Sequence, residues 1–279
     1  MRSIDRRGVA SGQSGQAAVE TAIIVPMLVF MVLGIIQLGM LHNARLMTEY
    51  GAYRAVRAGI VNHGGCNVME RAALAALLPT LPPLNGPGGM ASRIDTLDRA
   101  MKFHNAYTRR LSSNPLFYSA ASLPLLKIDV LNPKGGELQE LFGTYGSHLD
   151  TLEIDYDDVR DDRVIEANLL TIRLTYFYEL RVPFANWQIH SFYLGRELLD
   201  ELKGLQFETQ RIRGQSATTY LQNRGQGGGE YHRDLAILAQ LSGNQRKYVM
   251  PLVATWSMRM QSNLFNNDEH GPNACATKG

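Results

Sequence analysis

The dominant pattern in the chain is a run of apolar positions with no polar counterpart. From Thr21 to Leu41, "TAIIVPMLVFMVLGIIQLGML", 21 consecutive residues carry no charge. As a helix rising 1.5 Å per residue the run covers about 31 Å, the thickness of a bilayer's hydrocarbon. A secretory signal has an apolar core of roughly 7 to 15 residues and then a small-x-small cleavage site. This run is longer, and "HNARLMTEY" after it offers no such site. The sequence therefore predicts a transmembrane helix, with Pro26 tolerated inside it and expected to kink it.

Beyond the run the pattern becomes amphipathic. Leu46, Tyr50, Tyr53, Val56 and Ile60 recur in steps of three and four, with Arg45, Glu49, Arg54 and Arg57 on other faces. The spacing predicts that the transmembrane helix continues as one long amphipathic helix. Its expected end is "NHGG", where Gly64 and Gly65 supply a left-handed stop.

Residues 65–279 then read as a head domain. The strongest signal is "LLTIRLTYFYELRVP", in which Leu170, Ile172, Leu174, Tyr176, Tyr178, Leu180 and Val182 alternate with mostly polar neighbours. That is one long strand with one buried face. Shorter alternations at Leu125–Leu131, Leu152–Tyr156 and Leu252–Met260 bring the expected strands to four, in an antiparallel sheet backed by helices. Helical patterns occur in "NVMERAALAALL", "RIDTLDRAMKF", "SFYLGRELLDELKGL" and "EYHRDLAILAQL". Breaks at "LPPLNGPGG", "NPKGG" and "RGQGGGE" read as loops, and the last lacks the Gly-Lys-Ser/Thr ending of a phosphate cradle. The fold class is α+β: a transmembrane helix extended by an amphipathic one, then a head of antiparallel sheet and helices.

Charge narrows the function. The net charge is +2, but Arg2, Arg6 and Arg7 stand against Asp5 in the first fifteen residues, and the remainder is neutral. No basic stripe suits nucleic acid. The seven histidines form no H-E-x-x-H, no serine sits in G-x-S-x-G, and no cofactor or small-molecule substrate is indicated. The acidic run "EIDYDDVRDD" lacks the spacing and glycine of an EF-hand, so it reads as a solvated turn. Two cysteines, Cys66 and Cys275, stand near the two ends of the head. They suit a disulfide in an exported domain, or, with His63 and His270, a two-Cys, two-His zinc site. The paired cysteines and the large downstream region favour a head outside the cytoplasm, because basic residues flank the span on both sides.

The residues "SGQAAVETAIIVPMLVF" resemble the start of a type IV prepilin-like protein, in which a Gly ends a short basic leader, a Glu follows five residues later and a long apolar helix begins. Gly15 and Glu20 fit that spacing, and "ARLMTEYGAYRAVRAG" (Ala44 to Gly59) narrows the likeness to the TadE-like pseudopilins of bacterial tight-adherence pili. The resemblance spans about residues 12–60. It implies a leader over 1–15, cleavage between Gly15 and Gln16 by a prepilin peptidase, and a membrane and long helix over 16–64. It further implies a non-enzymatic subunit of the inner membrane, amino terminus cytoplasmic, that works with other pseudopilins or pilins and an inner-membrane assembly platform. Glu20 would be the assembly charge, neutralised in low dielectric by the Gln16 ammonium of a neighbouring subunit. The other readings to separate are an uncleaved anchor whose head binds an envelope partner, and an anchored extracellular hydrolase.

Overall fold

The computed structural model describes residues 14–81, 123–145, 153–159, 161–203, 230–265 and 275. Helix α1 runs without interruption from Ser14 to Ile60, through Pro26, over 47 residues. That is about 70 Å of helix. Its first half is largely exposed, meeting the head at Phe30 and Gln37, and its second half is packed into the head. Helix α2 (Cys66–Leu77) folds back along it and closes in a 3-10 turn at Leu78–Thr80.

Three long strands make the sheet: β1 (Leu126–Asn132), β3 (Leu169–Glu179) and β4 (Val249–Arg259), in the order β1-β3-β4, all antiparallel. The β3–β4 ladder is unbroken from Leu169 opposite Arg259 to Glu179 opposite Val249. The even positions of β3 face α1 and α2 and are buried from Leu170 to Tyr178, as their alternation predicts. Leu180 and Val182 are buried too, but they lie beyond the end of the strand. On the outer face Arg173 pairs with Asp129 directly across the ladder (Nη2 to Oδ2 3.0 Å), and the hydroxyls of Thr171 and Ser257 meet at 2.8 Å.

Several expectations are corrected. Leu152–Tyr156 does not supply a fourth strand to this sheet. Within it β2 (Glu153–Ile154) forms a separate two-stranded ribbon with β5 (Leu264–Phe265). The outer face of β3 is not wholly polar: Phe177 is buried against Leu123, Leu238, Leu241 and Val249. Leu238 and Leu241 belong to α6 (Glu230–Gln245). The "NPKGG" break is half helix, because Gly135 and Gly136 open α3 (Gly135–Tyr145), whose glycines masked it. A short α4 (Asp162–Ala167) begins at the last residue of the acidic run. The helix expected from Ser191 begins earlier, as α5 (Ala185–Lys203). Inside it His190 is buried, with Nδ1 2.9 Å from the Val249 carbonyl, and burial lowers the imidazole to about 4, so a neutral ring ties α5 to β4. "RIDTLDRAMKF" and the loop calls over 82–89 and 224–229 lie outside the described residues.

The second half of α1 packs through a face that only partly coincides with the one the large residues mark, Val56 and Ile60 being common to both. Leu46 and Tyr50 remain about half exposed, while Ala44, Thr48, Gly51, Ala52, Ala55, Val56, Gly59 and Ile60 are buried. Small side chains let the helix axis approach the sheet closely. A Cβ at Gly59 would stand 2.6 Å from Met69 Sδ and 2.8 Å from Leu170 Cδ2, and one at Gly51 would stand 3.2 Å from Leu174 Cδ2. Met69 and Leu170 are themselves fully enclosed, so neither can swing away freely.

Gly59→Val should therefore destabilise the head by about 2 kcal/mol, the cost of overpacking a closed core. Gly39→Val, where a Cβ meets nothing within 4 Å, should leave head stability unchanged. Thermal unfolding of the detergent-solubilised chain, followed by circular dichroism, checks both; equal melting temperatures would show that the close approach is not limiting.

Candidate functional site

Three places on α1 carry the chemistry. At the amino-terminal end, Gly15 and Gln16 lie in the first turn of the helix and Glu20 in the second. Glu20 is exposed, and next to it the Thr21 hydroxyl donates to the Ala17 carbonyl at 2.8 Å. The apolar side chains that follow are exposed all round the helix, with Ile23 at 66%, Met27 at 73% and Met31 at 67%. Among the described residues α1 is the one helix long and apolar enough to cross a membrane, with a mean hydropathy of 2.5 over its best 18-residue window, none of which is buried. A surface of that size and shape, largely exposed among the described residues, is built to be covered by lipid or by other helices. The single apolar helix acts as a membrane anchor for the head.

Two turns beyond Phe30, Gln37 joins the helix to the head. It is wholly buried, and its Oε1 accepts hydrogen bonds from the backbone N–H groups of Val182 (2.7 Å) and Arg181 (3.1 Å). Those two amides lie just past the end of β3, where no neighbouring strand can satisfy them. The Arg181 guanidinium turns inward, donates to the Thr80 carbonyl and lies 5.9 Å over the Tyr178 ring. The Thr80 hydroxyl bonds the Leu77 carbonyl (2.7 Å) and the Tyr176 phenol oxygen (3.1 Å), and burial pushes the Tyr176 phenol well above its ordinary range. One polar network thus links α1, the end of α2 and both ends of the β3 turn.

The third place is the carboxyl end of α1. The chain reverses through His63 and Gly64, with φ of 55° and 72°, and the Gly64 N–H returns to the Gly59 carbonyl at 2.9 Å. Gly65, expected to share that role, instead has φ −61° and precedes α2 as its cap. Residues from the far end of the chain complete the closure. The Ile60 carbonyl, an orphan of the last helical turn, accepts from Gln261 N–H (3.0 Å) and Ser262 Oγ (2.9 Å). His63 donates its N–H to Ser262 Oγ (2.9 Å), bonds the Asn263 carbonyl through Nδ1 (2.7 Å) and stacks on Phe265. Next to this cluster Cys66 is joined to Cys275, with Cα atoms 5.2 Å apart. In this arrangement the two sulfurs are bonded to each other and His63 turns to Asn263; His270 lies outside the described residues.

The acidic run is dispersed rather than gathered. Asp155 Oδ1 accepts from the Asp157 N–H, Asp161 caps α4 by accepting from the Arg163 N–H at 2.8 Å, and Glu153 accepts from Asn263 Nδ2. Among the described residues no three His, Cys, Asp or Glu side chains are grouped to hold a metal.

Sequence reasoning overlooked Gln37 and the small-residue face. Gln37 had a visible signal: between Ala22 and Leu41 it is the one hydrogen-bonding side chain in the apolar run. Replacing it with Met keeps the length but removes the acceptor, so Gln37→Met should cost about 2 kcal/mol and speed hydrogen exchange at the Arg181 and Val182 amides. Unchanged protection of those two amides would show that the bonds do not hold the head to the helix.

Comparison with known proteins bears on α1 alone. Residues 15–57 match the family model described as TadE-like protein. No curated protein and no solved structure matches the chain. The matched stretch takes in Gly15, Glu20, Gln37 and the small-residue face as far as Val56. By that match the amino-terminal helix, over residues 15–57, is similar to TadE-like protein.

Proposed function

We propose that the chain is a minor pseudopilin of a bacterial tight-adherence pilus, serving as a structural or assembly subunit. In this reading a prepilin peptidase cuts between Gly15 and Gln16, α1 sits in the inner membrane with its amino terminus cytoplasmic, and the disulfide-closed head lies outside. Its partners are other pseudopilins or pilins and the inner-membrane assembly platform. The observation that carries the reading is the coincidence, within the stretch matched to the TadE-like family, of Glu20 in the second turn with an exposed apolar half-helix.

The physical logic concerns the charge. A carboxylate near the hydrocarbon boundary is tolerable, but moving it into a bundle of apolar helices is costly without compensation. Cleavage after Gly15 would create an α-ammonium at Gln16, and in a neighbouring subunit that cation could approach Glu20 in a medium where opposite charges attract strongly. The pair would then set the axial register of one subunit against the next.

Amino-terminal sequencing of the membrane-extracted protein should begin at Gln16, and Gly15→Leu should leave a longer precursor that does not assemble. An intact Met1 terminus on assembled, functional protein would instead identify an uncleaved anchor. Glu20→Gln preserves shape and removes charge; it should reach the membrane at the normal level and yet lose co-purification with other pilus subunits and piliation. Normal assembly of that variant would sink the charge-pairing role.

A further inference from the structure

We propose that the head is seated in the outer face of the bilayer by an aromatic tip formed by Phe184 and Trp187, a proposal that rests on α1 spanning the membrane. The tip is fixed to the helix rather than free to choose its height. Gln37 holds the Arg181 and Val182 amides, and two residues later Phe184 meets Phe30 of α1 edge to face, with ring centroids 5.5 Å apart. Phe30 precedes Gln37 by seven residues, two turns, and so lies on the same side of α1 about 10 Å nearer the amino terminus. The head therefore reaches down beside the apolar half of the helix.

The side chains at this reach have the wrong character for water. Phe184 is 61% exposed and Trp187, in the first turn of α5, is 56% exposed. Phe184 also has φ of 66°, a left-handed conformation that bulky residues rarely adopt. A strained backbone that presents an apolar ring outward is hard to explain by the fold alone. An indole beside it, with an apolar body and one N–H, suits the interfacial layer where Trp concentrates in membrane proteins.

The same geometry sets the depth of the span. With the polar Gln37–Arg181 junction at the headgroup boundary, residues 17–36 occupy the hydrocarbon, 20 residues or about 30 Å of helix. The boundary thus lies about a turn closer to the amino terminus than the charge-free run ending at Leu41 suggests. Glu20 then falls within one turn of the opposite boundary.

Trp187 and Trp256 are the two tryptophans of the chain, and Trp256 provides an internal control. Its ring lies 5.7 Å from that of Tyr53, which is 16 residues beyond Gln37 and so about 24 Å farther from the membrane along α1. The full chain bearing W256F, or W187F, is reconstituted into phosphatidylcholine–phosphatidylglycerol vesicles with or without bromine high on the acyl chains. Both variants should float with the vesicles and resist alkaline extraction. Trp187 should emit to the blue and lose most of its fluorescence in brominated vesicles, while Trp256 should be unaffected; adding Phe184→Ser to W256F should relieve part of the quenching. An integral chain in which Trp187 is unquenched and open to acrylamide overturns the seating but spares the anchor. Trp187 unquenched by bromine yet shielded from acrylamide overturns it in favour of a protein neighbour. Failure to float overturns both the seating and the membrane span beneath it.

Discussion

The close approach of α1 to the sheet is the constraint on which the rest of the head depends. A helix that brings Gly51 and Gly59 against Leu174, Leu170 and Met69 leaves no room for side chains of ordinary size. Apart from Val56 and Ile60 the face is therefore made of Ala, Gly and Thr, and the large apolar residues of the opposing elements supply the volume. The arrangement is asymmetric: α1 contributes surface and proximity, while α2 and β3 contribute the bulky side chains that fill the space. Thr48 belongs to this face because its hydroxyl is satisfied within the helix, at the Ala44 carbonyl 2.8 Å away.

Much of this was legible in the sequence, and the failures share a cause. The transmembrane run and β3 were plain because each repeats one pattern over many residues, so the period could be read without knowing the partner. The packing face of α1 was misread because hydrophobicity was taken as the mark of burial, and Leu46 and Tyr50 are larger and more apolar than Ala52 or Gly59. Proximity selects for smallness, which a hydrophobic period does not register. Leu152–Tyr156 was assigned to the wrong sheet, and Leu264–Phe265 was not read as a strand, because two residues per strand carry no directional information. Gly135 and Gly136 hid α3 because local propensity argued against a helix that tertiary context allowed. At the candidate site, Gly15, Glu20 and the two cysteines could be singled out from spacing and chemistry, whereas Gln37 needed its partners at Arg181 and Val182, 144 and 145 residues away.

Several polar side chains of the head sit where regular structure ends. Gln37 serves the amides after β3, Thr80 and Arg181 serve the end of α2, and Ser262 and His63 serve the end of α1. Each replaces a backbone partner that a helix or strand would have supplied. These polar atoms act as terminators. They also join segments far apart in the chain, so each terminus is fixed only when the whole head has formed.

The link between Cys66 and Cys275 gives the head an unusual mechanical circuit. The two residues are 209 apart in sequence but adjacent in space, and Cys66 follows α1 after a five-residue turn. Tension entering through α1 and leaving through the chain beyond Cys275 passes through the two sulfurs and bypasses the sheet and every helix after the first turn of α2. Under that load the β3–β4 ladder is slack, and resistance falls on covalent bonds.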